Sequence, residues 1–85
     1  MKKSLDQAIR LLRILVEGRE VYFSGDYLNS EGRKLLEEAV RNILRDAPFL
    51  KRRVVKVRKK GDYDSVLSLV EDLLSLQSSE DFRDP

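Results

Sequence analysis

Apolar residues recur at helical spacing in three stretches of this chain, with two short segments of β-forming residues between them, and that alternation limits the folds open to it. In the first stretch Leu5, Ala8, Ile9, Leu12, Leu15 and Val16 form one stripe; Ser4 and Gln7 read as a capping box, and Gly18 supplies the stop. A helix over 5–17 follows. Ile14 falls opposite the stripe, among Arg10 and Glu17. The second stretch, 31–47, carries Leu35, Leu36, Ala39, Val40 and Ile43, has Asn29 or Ser30 as a cap, and cannot pass Pro48. Its polar face is Lys34, Glu38, Arg41 and Arg45. The third begins at the Gly61-Asp62 turn, where Asp62 can cap, and sets Tyr63, Val66, Leu67, Leu69, Val70, Leu73, Leu74 and Leu76 on an unusually wide arc.

Between the first two helices Val21, Tyr22 and Phe23, closed by Gly25-Asp26, read as a short buried strand over 19–24. Between the second and third, Arg52 to Lys59 reads as a strand with Val55 and Val57 toward the core. Alternation then leaves Arg52, Val54, Lys56, Arg58 and Lys60 on the opposite face. The expected fold class is α/β (α+β): a two-layer α-β-α-β-α domain over 1–77 with a short, mainly parallel sheet, followed by a flexible acidic tail over 78–85 that holds Phe82. Two strands expose open edges, so a further strand or a partner chain is expected to cover them.

The chain of 85 residues allows one small domain. It has no Cys and no His, which removes disulfides, thiolate metal sites and the commonest general base. No apolar run approaches a membrane span, and Arg10 and Arg13 interrupt any signal-peptide core, so the expected location is cytoplasmic, with no membrane partner. Abundant Glu, Lys and Arg beside absent Thr, Cys, His and Trp is a bias seen in thermophile proteins.

Charge is segregated. Residues 1–50 hold 9 basic and 8 acidic groups, residues 51–60 hold 7 basic and none acidic, and residues 61–85 hold 1 basic and 7 acidic. Long cationic side chains on alternate strand positions can follow a nucleic-acid backbone without reading bases. The plainer account is an edge strand protected by charge, or an ion-pair partner for the acidic end, but seven charges exceed what edge protection requires.

Tyr22, Phe23 and Tyr27 are candidates for base stacking, although aromatics in a short strand ordinarily fill the core. Asp62, Asp64, Glu71 and Asp72 offer oxygen ligands for magnesium, yet capping and the helix dipole account equally well for acids at a helix start. Gly25 and Gly32 flank the second helix without a phosphate-loop or dinucleotide pattern. The expected protein is therefore non-enzymatic and needs no cofactor or metal. The wide apolar arc over 63–77, with Ile14, suggests a homodimer interface.

The Lys2-Lys3 pair, a long helix ending in Gly, a short strand, a second helix bearing Glu-Ala-Val-Arg-Asn (Glu38 to Asn42) and a basic strand together resemble the Alba family, over residues 2–57. The resemblance implies a dimeric β-α-β-α-β-β module that binds DNA or RNA, with Lys2 and Lys3 in the place of the family's lysines and the 52–60 strand opening a basic hairpin arm. The chain departs from it in lacking residues for a first strand, in Asp26-Tyr27-Leu28 where a basic loop is expected, and in a helix where the last strand should be. The combined expectation is a binder of DNA or RNA of low sequence specificity, with Lys2, Lys3, Arg52, Lys56, Arg58 and Lys60 on phosphates. The alternative is an adaptor subunit whose basic strand docks an acidic protein and whose third helix packs into a larger assembly.

Overall fold

The computed structural model describes residues 3–83, without the side chains of 78–83. The chain order is α1 (Lys3–Glu17), α2 (Arg19–Tyr22), β1 (Phe23–Ser24), β2 (Tyr27–Leu28), α3 (Ser30–Asp46), a 3-10 turn (Pro48–Leu50), α4 (Lys51–Lys60) and α5 (Tyr63–Arg83). This mostly helical domain corrects the expected α/β class: among the described residues the only sheet is two-stranded and antiparallel. Lys2 and the end of the acidic tail lie outside the described residues, as does Phe82's side chain.

The stripe of α1 buries Leu5, Ala8, Ile9, Leu11, Leu12 and Leu15, and Ile14 stays 41% exposed, as its angular position requires. Ser4 lies inside the helix rather than capping it. The Leu5 amide instead donates to Asp46 Oδ2 at 3.1 Å, so the end of α3 satisfies the start of α1 and the two helices run antiparallel. On α3, Asn29 is the cap, its side-chain oxygen accepting from Gly32 N–H at 2.9 Å. The helix buries Leu36, Ala39, Val40 and Ile43 against α1.

The segment 19–24 is mostly not a strand. The Gly18 carbonyl accepts from both Val21 and Tyr22 N–H, which winds Arg19–Tyr22 into one helical turn and leaves Phe23–Ser24 extended. A two-residue strand is too short for a crossover partner, and it pairs across Gly25-Asp26 with its neighbour, Phe23 opposite Leu28 and Ser24 opposite Tyr27. Gly25 takes φ +64, the left-handed region that this tight hairpin turn demands. The hairpin's other side is occupied by the connection into α5: Leu28 N–H donates to Gly61 O at 2.8 Å, and Tyr63 N–H to Asp26 O at 2.8 Å. Of the two expected covers, a further strand or a partner chain, the chain supplies the strand, β2, and then covers that strand's outer edge with the connection into α5.

The largest correction concerns 51–60. Val54 and Val57 are the buried pair and Val55 is 41% exposed, whereas a strand would bury Val55 and Val57. Leu50, Val54, Val57 and Gly61 continue one helical stripe at spacings of four, three and four, and Gly61 closes it at φ +60 by donating to the Val57 carbonyl. The basic hairpin arm implied by the Alba resemblance is therefore not formed over 52–60.

On α5, Val66, Leu69, Val70 and Leu73 are buried, and Leu74, 42% exposed, is the member of the arc left in the open. The arc is wide because α5 packs on α1 along one side and on α4 along the other. Gln77 donates to the Asp6 carboxylate, while Tyr63 at the opposite end meets Phe23 edge-on at 5.3 Å. α5 therefore runs antiparallel to α1.

Candidate nucleic-acid interface

α4 carries all seven cations of the basic block: Lys51, Arg52, Arg53, Lys56, Arg58, Lys59 and Lys60. With Val54 and Val57 directed inward, a rotation of about 100° per residue points Arg52 and Lys59 away from the core, and Lys56, between them at i+4 from Arg52, leans toward α5. Val55 lies beside them. Arg53 and Lys60 flank this ridge toward α5, and Lys51 and Arg58 flank it toward α3.

The flanks are where carboxylates reach. Arg58 Nε donates to Glu37 Oε2 of α3 at 2.8 Å, and Arg53 Nη1 meets the Asp72 carboxylate of α5. Lys51, Arg52, Lys56, Lys59 and Lys60 make no ion pair among the described residues. On the α5 side a cleft of about 280 Å³ is lined by Arg53, Lys56, Val57, Lys60, Ser65 and Ser68. The cleft on the α3 side is lined by Arg33, Glu37, Val55, Arg58 and Lys59.

This arrangement costs stability. The like-charged neighbours Arg52–Lys56, Lys56–Lys60, Arg53–Lys56 and Lys56–Lys59 each oppose the helix by about 0.2–0.5 kcal/mol. Lys51, Arg52 and Arg53 also sit in the first turn, where the helix dipole favours anions, and Leu50 offers no side-chain cap. Only the last turn, with Arg58, Lys59 and Lys60, gains from the dipole. α4 is held by the burial of Val54 and Val57 and by the Gly61 terminus, against its own charge pattern.

Asp62, directly ahead of α5, has a displaced pKa. Hydrogen bonding from Ser65 lowers it below the ordinary 3.8, against the opposing effect of burial, and backbone N–H groups and the Lys60 charge add to the lowering. Its Oδ1 is enclosed without a hydrogen-bond partner. No group of three metal-ligating side chains comes together among the described residues, so Asp62, Asp64, Glu71 and Asp72 do not converge.

Of the expected phosphate contacts, Arg52 and Lys56 share the outer ridge, Lys60 faces the α5 cleft, and Arg58 is turned to Glu37. Lys3 is exposed at the start of α1, on a separate element, and Lys2 falls outside the described residues. Strand alternation omits Lys59 and Arg53, which helical spacing from Arg52 and Lys60 would have included. Phe23 is core and Tyr22 is half-buried, while Tyr27 is exposed on the hairpin. No helix among the described residues is long and apolar enough to cross a membrane. Comparison with protein-family models, curated proteins and solved structures found no match for this chain.

Proposed function

We propose that the protein is a small non-enzymatic nucleic-acid-binding protein that grips the phosphate backbone with the exposed face of α4. The observation that carries this reading is the ridge of Arg52, Lys56 and Lys59, cations without carboxylate partners among the described residues, stacked on a helix whose own stability they reduce. A polyanion converts that repulsion into attraction and releases its counterions. The sequence Lys-Arg-Arg-Val-Val-Lys-Val-Arg-Lys-Lys has cations that suit phosphates as well as guanine edges but no Asn or Gln for adenine and no acid for cytosine, which supports backbone gripping of low sequence specificity.

Fluorescence anisotropy against random-sequence duplex DNA, duplex RNA and single strands tests this. Four to five phosphate contacts predict a log–log salt slope of about −4 on duplex DNA. The triple variant Arg52→Gln, Lys56→Gln, Lys59→Gln should reduce its magnitude by about 3 and weaken all sequences alike. Binding by an acidic protein but by no nucleic acid at 50 mM salt would shift the function to the adaptor class, and an unchanged slope in the triple variant would remove α4 from the interface.

A further inference from the structure

Resting on that reading, we infer that the cleft between α4 and α5 is a seat for one tetrahedral phosphate group, in the nucleic-acid complex a backbone phosphate, bound by Lys56, Lys60 and Arg53 with the Ser68 hydroxyl. The two flanks of α4 differ in the property that matters. The α3 side includes Glu37 in its lining, whereas this cleft on the α5 side has no carboxylate in its lining, Asp72 lining instead the adjoining pocket with Leu50, Arg53, Ser75 and Leu76. What α5 presents there is Ser65 and Ser68, two hydroxyls one helical turn apart.

The next residue along that stripe is Asp72, and it fixes Arg53. The guanidinium has five N–H donors in a rigid fork; the Asp72 contact engages Nη1 and leaves others available on a side chain already held in place. Lys56 and Lys60 stand on the facing side, one turn apart, each with three donors. Lys56 and Lys60, unlike Arg53, have no carboxylate partner among the described residues and repel each other across the cleft, and an oxyanion between them removes that cost. Asp62 and Asp72 stand three residues before Ser65 and four after Ser68, and neither is in the lining of the cleft. At about 280 Å³ and open to solvent, the cleft lies at the lower limit of ordinary small-molecule pockets, about 300–1,000 Å³, and suits a phosphate on a chain better than an enclosed nucleoside.

The test is a ¹H–¹⁵N NMR titration of the full chain at neutral pH with inorganic phosphate, run beside duplex-DNA anisotropy. Expected are saturable amide shifts at Lys56, Lys60, Ser65 and Ser68, with Arg52 and Lys59 moving little. The variant Lys60→Gln/Ser68→Ala should abolish the saturable shifts and reduce the magnitude of the duplex salt slope by about 1, while Arg52→Gln/Lys59→Gln leaves the phosphate titration intact. Shifts absent, or spread evenly over all α4 cations while duplex binding persists, would overturn the cleft assignment and leave the proposed function standing. Saturable shifts at the cleft with no duplex binding would do the reverse, retaining the phosphate seat and removing nucleic acid as its source.

Discussion

The two valines at 54 and 55 separate a helical basic segment from an extended one in a single pair of variants. In α4 Val54 is fully buried and Val55 is 41% exposed, so Val54→Ala removes two methyl groups from a packed interior while Val55→Ala trims a side chain already half in water. At about 0.8 kcal/mol per buried carbon, plus a term for the cavity left between α3, α4 and α5, Val54→Ala should cost about 2–3 kcal/mol. Val55→Ala loses little burial and gains helix propensity, so its net effect should stay within about 0.5 kcal/mol. Urea denaturation followed by circular dichroism reads both directly. In a domain of this size each kcal/mol moves the thermal midpoint by about 4–8 °C, so Val54→Ala should melt roughly 10–20 °C lower and Val55→Ala close to the parent. A costly Val55→Ala with a neutral Val54→Ala is the signature of a strand, and it would refute the helix together with the ridge of Arg52, Lys56 and Lys59 that depends on it.

Gly32→Ala should destabilise the protein by about 1–3 kcal/mol in denaturant titration although Ala is the better helix former by about 1 kcal/mol. An added Cβ would lie 2.3 Å from the Tyr22 carbonyl oxygen and 2.7 Å from Leu28 Cδ2, and a variant as stable as the parent would show that α2 yields freely. The lowered pKa of Asp62 gives stability that is present above its unfolded value near 4 and is lost as the pH falls through the lower folded value. The parent should therefore lose stability more steeply below pH 4 than Asp62→Asn, and parallel acid-unfolding curves for the two would contradict that linkage.

The helices α1 and α3 are legible in the sequence because each spans four or more turns, and over that length the apolar stripe fits only one period. Ile14 is placed correctly on the open face by the same arithmetic, and residue type narrows the cap to Asn29 or Ser30, of which the structure uses Asn29. Short segments lack this redundancy. Arg19–Tyr22 contains residues that favour strands, but the Gly18 carbonyl captures two amides and winds them into a turn, an outcome that local propensity does not encode. In 51–60 seven of ten positions are charged, so three valines carry the whole pattern, and both Val54 with Val57 and Val55 with Val57 satisfy a rule. The helical choice is decided by Leu50 and Gly61, which extend the stripe beyond the basic block on either side, and by the faces of α3 and α5 that receive it.

That choice determines which cations act together, whereas their number does not depend on it. A strand would group Arg52, Lys56, Arg58 and Lys60 along one face at about 3.3 Å of rise per residue, an extended rail for a single backbone. The helix compresses the same ten residues to about 15 Å and distributes their charges around three sides. Arg58 is drawn to Glu37, Arg53 is fixed by Asp72 at the mouth of the α5 cleft, and Lys59 joins Arg52 and Lys56 on the outer ridge. The proposed polyanion partner is motivated by the run of seven cations and not by composition, since the whole chain carries only +2, and the contacts that would grip it follow from the helical rotation: a ridge facing solvent and a cation-lined cleft beside it. The two carboxylates that α3 and α5 extend to α4 neutralise only its flanks, which leaves the outward field of the ridge available to a partner.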